Sequence, residues 1–419
     1  MALFKTECSM SKISGSNYKW YILALSMLTY ALIAGAQRMA LPVLFKEISI
    51  NLDLSLVSIG TIWGMDPLAG VFTALPGGLL ADRFGVKRTL TVVCFLAGIF
   101  CALRGFSTSF LTMAAFMFLF GIIASVTPSI VPKTTAVWFS ARQMDLTNAL
   151  VNISWSVGSM AAALTSASYL SPLLGGWRNV LFVLGLPALV LGFLWLFTGR
   201  EPRKHEVATD AVTQVPPLRQ SLIKVAKMKE IWILGLLCMV MWGSNTGMFG
   251  YLPLYLRNIG WAPESADGAI TALMGATTVG MIPMVLLANR FGIQKAMFFS
   301  TLVVLTASLA LLPLVKDVWV WVVIVVSGLL RSSQPALTNV LVFKTKGVGS
   351  VYSGTAIGLV SSVGMVGGTF APAVGNSLSD ISPGGPFFFW AGFSALGLPL
   401  YLILWKMWNR SDSAARLPT

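Results

Sequence analysis

The sequence predicts an all-α integral membrane protein with twelve transmembrane helices in two pseudo-symmetric six-helix bundles. Composition, a series of apolar runs and an internal repeat predict this fold. Hydrophobic residues make up 56% of the 419-residue chain and charged residues only 11%, whereas a soluble protein carries about 25% charged residues. A helix crosses a bilayer with about 20 apolar residues, and the chain contains twelve runs near that length or with polar edges.

Each half of the chain contains six of these runs. The first half has Trp20–Phe45, Val57–Ala81, Leu90–Leu103, Phe110–Val131, Leu146–Leu170 and Val180–Thr198. The second half has Ile231–Leu256, Ala269–Ala288, Ala296–Leu314, Val318–Val342, Gly349–Ala373 and Phe387–Trp405. Glycine and serine within the runs allow close helix packing in lipid. We therefore predict one bundle over residues 1–199, a cytoplasmic linker over 200–230 and a second bundle over 231–419.

An internal repeat relates the two halves. The segment LLADRFG at 79–85 returns as LLANRFG at 286–292, which places Asp82 and Asn289 207 positions apart. The segments GIIASVTP at 121–128 and GLLRSSQP at 328–335 have the same separation. This separation is close to half of the chain, so the sequence is interpreted as two copies of one six-helix unit.

The net charge of +14 predicts orientation and gives no indication of a nucleic-acid partner. With a cytoplasmic N-terminus, the cytoplasmic segments would hold 22 of the 29 Lys and Arg residues and the external segments five. An excess of Lys and Arg in cytoplasmic loops is the rule for membrane proteins. We therefore expect a multi-pass protein of the plasma (inner) membrane, monomeric in the bilayer, with both termini in the cytoplasm.

Several function classes have no support in the sequence. The four cysteines are scattered and the single histidine, His205, lies in a charged loop, so neither a metal site nor a disulfide framework is expected. No nucleophile–base set, paired catalytic carboxylates or phosphate-binding Gly-Lys-Ser/Thr loop is present. We expect neither an enzyme nor an ATP-driven pump, and no cofactor. The first apolar run is too long for a signal peptide and is expected to remain as the first helix.

The loop between the second and third runs reads GLLADRFGVKR from Gly78 to Arg88. It resembles the Gly-x-Leu-Ala-Asp-Arg-x-Gly-Arg-Lys motif of the major facilitator superfamily of secondary transporters. WFSAR at 138–142 and GGWR at 175–178 are also typical of that family. The resemblance implies a gating motif whose members here are Gly78, Asp82, Arg83, Gly85, Lys87 and Arg88, with a degenerate second copy at Asn289, Arg290 and Gly292.

The motif also has a physical interpretation. Gly85 permits a tight turn into the third helix, and Asp82 places a negative charge where it can cap the N-terminus of a facing helix. The resemblance implies that this facing helix is the eleventh and that the contact holds the inner side shut. The alternative for Arg83, Lys87 and Arg88 is that they only set the topology.

Three charged residues lie within the predicted helices: Arg38, Asp66 and Arg331. A charge at the bilayer centre costs about 2.5–3.5 kcal/mol on insertion scales, so it normally faces a partner or a cavity. Arg38 and Asp66 lie at similar depths on consecutive antiparallel helices and could pair, either for function or as a structural bridge. Asp66 is the only acid within the runs and is the candidate for proton coupling.

Arg331 has no obvious acidic partner, and the residue 207 positions earlier is Ala124. The fold therefore does not require a charge there, which favours substrate binding. Gln334, Asn245 and Asn152 could line the same cavity, although a helix-packing role fits each equally. Two arginines and one acid favour a small anion, whose carboxylate can accept two hydrogen bonds from one guanidinium.

Organic-anion symporters of the family commonly carry Asp-Arg-x-Asn in the first helix, which the segment Gln37–Ala40 resembles only at Arg38. The arginine that many proton-coupled members carry in the fourth helix is replaced by Met117. The Gly-Pro pair of drug antiporters is absent from the fifth run. The first hypothesis is a proton-coupled symporter for a small organic or inorganic anion. The alternatives are an exporter of amphipathic compounds or metabolites, and a membrane receptor that binds without transporting.

Overall fold

The computed structural model describes residues 18–73, 83–200, 218–345 and 347–414. All regular elements in these ranges are helical, which confirms the predicted class. The long helices of the first half are α1 Tyr18–Asn51, α2 Leu56–Thr73, α3 Val86–Gly105, α4 Phe110–Trp138, α5 Ala141–Thr165 and α6 Trp177–Thr198. Those of the second half are α7 Lys229–Asn258, α8 Pro263–Arg290, α9 Gln294–Leu311, α10 Val318–Lys344, α11 Gly349–Asn376 and α12 Gly385–Trp408.

Within the described ranges, eleven of these helices are long and apolar enough to cross a membrane. The exception is α5, whose hydropathy is lowered by its polar side chains, among them Thr147, Asn148, Asn152, Ser154, Ser156 and Ser159. It nevertheless has 25 residues, continues through a wide π turn at Ser166–Leu170, and connects α4 to α6. The arrangement is therefore that of a twelve-helix membrane protein.

The internal repeat is visible in the turns that follow α2 and α8. Gly85 and Gly292 both have positive φ angles, 83° and 65°, a conformation that glycine adopts without strain. In both copies the arginine of the repeated segment lies over the following phenylalanine ring, with Arg83 5.5 Å from the centre of the Phe84 ring and Arg290 6.0 Å from that of Phe291. The tight turn predicted at Gly85 is confirmed.

The apolar core divides largely along the repeat. One cluster of buried side chains is formed by residues between Val225 and Trp408, and another by residues between Ile22 and Trp195. A third cluster joins the halves, because Ile270 and Met274 of α8 pack with side chains of the first half. The halves thus have their own interiors and share a smaller apolar contact.

Glycines bring α2 against α11 with almost no side chain between the backbones. A Cβ added to Gly64 would lie 2.0 Å from the Thr369 carbonyl oxygen, and one added to Gly60 would lie 2.7 Å from that of Pro372. Small residues allow this close approach of helices in lipid. The contact joins the two halves near the beginning of α2 and the end of α11, which we call the far end. The end that contains Arg83–Arg88 is called the motif end.

Helix α1 departs from regular α-helical geometry just before Arg38. Residues Tyr30–Ala36 form a π segment, a feature that recurs at functional sites. The Trp155 indole of α5 donates a hydrogen bond of 3.1 Å to the Ala34 carbonyl within it. Pro42 follows and cannot donate the backbone hydrogen bond that would reach the Arg38 carbonyl. Arg38 therefore lies between two local disturbances of the helix.

Candidate functional site

Arg38 and Asp66 form a two-pronged ion pair between α1 and α2. Arg38 Nη2 donates to Asp66 Oδ1 at 2.8 Å, and Arg38 Nε lies 2.7 Å from Asp66 Oδ2. The two side chains are 22% and 7% exposed, so the pair is largely removed from solvent but retains an open side on the arginine. The Nη2 contact is a hydrogen bond, whereas the Nε contact is a close ion-pair contact without hydrogen-bond geometry. The structure thus brings together the two residues that the sequence placed at equal depth.

The second half has the same helix contacts without the charges. Asn245 lies 207 positions after Arg38, and its amide donates only to the Met241 carbonyl of its own helix, at 2.9 Å. Its predecessor Ser244 donates to the Trp390 carbonyl at 2.8 Å, as Gln37 donates to the Leu184 carbonyl at 2.8 Å. The Asn245 amide therefore bonds to its own helix in this conformation, and its role in binding or in helix packing stays a prediction.

Arg331 is a buried cation with free donors. Its side chain is 7% exposed, and its Nε and Nη1 atoms have no hydrogen-bond partner in the described structure. Buried donors are almost always paired, and an unpaired guanidinium is among the costliest groups to bury. The arrangement leaves the guanidinium free to bind an anion.

The chain breaks its helix immediately after Arg331. Residues 332 and 333 form a turn, and a new helical segment starts at Gln334 with Pro335 in its first turn. Ser333 Oγ and Gln334 Nε2 are also buried and lack a partner. Four polar atoms of three neighbouring residues, Arg331, Ser333 and Gln334, are thus unsatisfied at one break in α10. The Gln334 amide nitrogen therefore retains its donors for a ligand.

Asn152 is placed differently from the other predicted binding residues. Its side chain is exposed on α5 and its amide donates to the Asn148 carbonyl at 2.8 Å. It makes no described contact with Arg38, Asp66 or Arg331. A cavity role for Asn152 stays a prediction.

The gating motif is described only in part. Gly78 and Asp82 lie outside the described residues, so the predicted contact of Asp82 with the eleventh helix has no structural account. Arg83 and Arg88 are exposed and Lys87 is half-buried. In the second copy, Arg290 is exposed, and Asn289 accepts a hydrogen bond of 2.8 Å from Gln294. The side chains of the second copy therefore contact only their own loop in this conformation.

Asp66 is the only acid within the apolar runs, but it is not the only buried acid of the described helices. Helix α8 begins at Pro263 rather than at Ala269, and Asp267 in its second turn is fully buried. Likewise α3 extends to Gly105, so that Arg104, expected just beyond the helix, is a fully buried arginine within it. Arg104 lies one position after an apolar run and Asp267 two positions before one. The apolar runs alone therefore place both residues in the external segments.

Asp267 belongs to a hydrogen-bonded network that joins the halves at the far end. It is ion-paired with Arg257 at the end of α7 and accepts a hydrogen bond of 2.6 Å from Ser168 of the first half. Arg257 in turn donates to the Val43 carbonyl of α1 at 2.6 Å. The network therefore ties α7 and α8 to α1 and α5.

Two further hydrogen bonds cross between the halves on the same side. Asn376 of α11 donates to the Leu56 carbonyl at 2.9 Å, and Trp63 of α2 donates to the Thr246 carbonyl of α7 at 2.8 Å. The far end is therefore closed by direct contacts between the two halves.

The fold and this arrangement of buried charges are those of a membrane transporter. The sequence model of the Major Facilitator Superfamily matches residues 26–353, which is more than half of the chain. The protein therefore belongs to the major facilitator superfamily, as the sequence motifs implied.

Two relatives and one solved structure illustrate the similarity. A probable galactarate/D-glucarate transporter of Bacillus subtilis is 28% identical over 208 residues, which are 47% of this chain and 44% of the relative. The match thus spans less than half of that relative. A probable nitrate transporter of Staphylococcus epidermidis is 24% identical over 412 residues, 96% of this chain and 100% of the relative. A bacterial homologue of the human lysosomal transporter Spinster, solved in an inward-facing and unoccupied conformation, superposes with a TM-score of 0.77 at 15% identity, covering 92% of this chain and 97% of that one.

Proposed function

We propose that this protein transports a small organic or inorganic anion and that Arg331 binds it. The observation that carries the proposal is the buried guanidinium of Arg331, whose Nε and Nη1 atoms have no partner within the described structure. Ionisable groups within membrane helices are rare and mark substrate or ion pathways. The names of the relatives support the same substrate class, since galactarate, D-glucarate and nitrate are anions.

Proton coupling is assigned to the Arg38–Asp66 pair. Asp66 contacts the Nη2 and Nε atoms of the Arg38 guanidinium, so protonation or displacement of Asp66 would make these donors available to a substrate carboxylate. Proton and anion then favour each other's binding, and this reciprocal coupling is what defines a symporter. Among the described side chains, Asp267 is the other buried acid, but its contacts are with the far-end network, so its assigned role is closure.

We propose that the protein works by alternating access, in which its two ends open in turn. The cross-bundle hydrogen bonds described above, which close the far end, support this proposal. The excess of Lys and Arg in the predicted cytoplasmic segments supports a cytoplasmic motif end, in a protein of the plasma membrane. The far end is closed in this conformation, and Asp82 is proposed to close the motif end in the opposite state.

The test is transport by the purified protein in proteoliposomes. Liposomes loaded with unlabelled nitrate, D-glucarate or benzoate should accumulate the matching labelled anion by exchange, and an inward proton gradient should drive net uptake. The Arg331→Gln variant should lose both activities while its thermal unfolding temperature is retained. Transport of a cationic dye with none of these anions would contradict the proposal and favour the exporter alternative.

A further inference from the structure

Arg104 is a second buried arginine without an acidic partner. Its side chain is 0% exposed, and no carboxylate lies within ion-pairing distance of it among the described residues. Its Nη2 atom donates to the Gln37 carbonyl at 3.1 Å and contacts Cys101 Sγ at 3.1 Å, while its Nε atom has no described partner. A guanidinium in such a place is costly to bury, so its presence requires an explanation.

The contacts of Arg104 join α1, which carries Arg38, to α4, which packs against Asp66 of α2. On α1 it binds the carbonyl of Gln37, the residue directly before Arg38. On α4 its guanidinium carbon lies 4.0 Å from the centre of the Phe120 ring, and Nη1 is 3.8 Å from Met117 Sδ. The next residue, Gly121, touches the backbone of Asp66, since a Cβ added there would lie 2.8 Å from Asp66 Cα.

The repeat shows that the fold does not need this arginine. The residue 207 positions after Arg104 is Leu311, which is 46% exposed. The mates of Cys101 and Phe120 at the same offset are Ser308 and Ser327, whose hydroxyls form a neutral hydrogen bond of 3.0 Å. The second half therefore closes the same helix crossing without a charge.

We propose that Arg104 is a positioning residue for the anion site: it fixes α1 at the Gln37 carbonyl, and thereby holds the Arg38 guanidinium in place. A fork-shaped donor that also stacks on an aromatic ring can do this, since an arginine makes directional hydrogen bonds and a cation–π contact at once. The proposal rests on the proposed anion transport. It adds a residue that acts through Arg38 without touching the substrate.

The role predicts that affinity and stability respond in opposite ways. Replacing a buried, unpaired charge by an apolar side chain of similar volume is often neutral or stabilising. The Arg104→Met variant should therefore unfold at the same temperature as the wild type or higher. Its Kd for the anion that the wild type binds, measured by titration calorimetry with nitrate, D-glucarate and benzoate, should rise about tenfold or more. Arg104→Lys should show a smaller rise in Kd, because the charge remains but the fork is lost.

The control is Leu311→Met, at the equivalent place in the second half. This variant should change neither the Kd for the anion nor the unfolding temperature.

A second measurement needs no ligand. Amide hydrogen exchange of the Arg104→Met variant should increase in α1 around Gln37–Leu41 and stay unchanged in α7 around Ser244–Met248, because only α1 loses an anchor. Faster exchange in α1 together with weaker binding supports the proposal. Unchanged exchange in α1 overturns the proposal. So does a Met variant that unfolds at a lower temperature yet binds as the wild type does.

If the Met variant does not fold, the Arg104→Lys variant decides. Unchanged affinity and unchanged exchange in that variant overturn the proposal equally. Absence of anion binding by the wild type contradicts the proposed function, while the exchange measurement still tests whether Arg104 anchors α1.

Discussion

Asp66 and Leu273 occupy equivalent places in the two halves of the protein. They are 207 positions apart, and each lies where a glycine of a neighbouring helix touches the backbone. A Cβ on Gly121 would approach Asp66 Cα to 2.8 Å, and one on Gly328 would approach the Leu273 carbonyl oxygen to 2.7 Å. The same helix crossing is thus built once with a charged residue and once with leucine.

This equivalence predicts that the charge pair can be removed together without loss of the fold. The double variant Arg38→Asn/Asp66→Leu gives the first half the residues Asn245 and Leu273 of the second. We expect its thermal unfolding to match the wild type closely while anion uptake is lost. Asp66→Leu alone should lower stability by about 3 kcal/mol, because it leaves the Arg38 guanidinium without its partner. Equal destabilisation by the single and double variants would contradict the equivalence.

Asp66→Asn should separate coupling from binding. The amide retains the shape of the carboxylate but cannot exchange a proton, so uptake driven by a pH gradient should vanish while exchange of labelled for unlabelled anion persists. Both are measured in proteoliposomes, with Leu273→Met as the control at the equivalent position. Accumulation of the anion against its gradient by the Asn variant would show that Asp66 is only a structural partner of Arg38.

Arg331→Lys should impair both modes of transport. An ammonium group has no planar fork for a carboxylate or nitrate, so we expect exchange and proton-driven uptake to fall by about tenfold or more, the equivalent of about 1.4 kcal/mol of binding free energy. Leu330→Met, on the partly exposed neighbouring side chain, is the control. Full activity of the Lys variant would remove Arg331 from the binding site.

Asp267→Asn should loosen the far end. The substitution leaves Arg257 buried without its counter-charge, and buried ion pairs are strongly destabilised when one partner is removed. Spin labels on the exposed positions Ile50 and Ile259 should show a longer and broader distance distribution by double electron–electron resonance. Glu264→Gln, an exposed acid in the first turn of the same helix, should leave the distribution as in the wild type. If the Asp267→Asn and Glu264→Gln variants give the same distance distribution, the Arg257–Asp267 ion pair does not hold this end closed.

Gly158→Ala tests the close contact of α5 with α1. A Cβ at Gly158 would lie 2.1 Å from the Ala31 carbonyl oxygen, and overpacking of this kind costs about 1–3 kcal/mol. Gly392→Ala, where no atom lies within 4 Å of the added Cβ, should be neutral or stabilise by up to about 1 kcal/mol. Thermal unfolding in detergent compares the two variants. A similar stability for both would contradict the packing described here.

The fold was predictable because the signals in the sequence occur in both halves of the chain. Apolar runs of membrane length, the paired LLADRFG and LLANRFG segments and the charge bias all indicate the same twelve-helix unit. What it did not predict are the helix ends. Arg104 and Asp267 lie just beyond an apolar run, where hydropathy alone cannot distinguish a helix terminus from a buried charge.

The candidate site was predictable only where depth along a helix sufficed. Depth placed Arg38 beside Asp66, and the repeat singled out Arg331 through Ala124. Neither depth nor the repeat could show that the Asn245 amide bonds to its own helix or that Arg104 reaches the Gln37 carbonyl. Those contacts depend on which way each helix is rotated, and rotation is set by packing against neighbours.

The π segment of α1 has a consequence for that rotation. Thr29 accepts a hydrogen bond of 2.9 Å from Trp195, and Gln37 donates to Leu184 at 2.8 Å, so both residues point toward α6. In a regular α-helix, eight residues advance the side chain by two turns and about 80° more, which would direct one of them away. The wide turn at Tyr30–Ala36 absorbs about one residue, and the angular difference falls to about 20°. Closing this wide turn into a regular α-helix without a deletion would restore the difference of about 80° and force a choice between the two anchors, so the azimuth of Arg38 depends on the one extra residue that the turn absorbs.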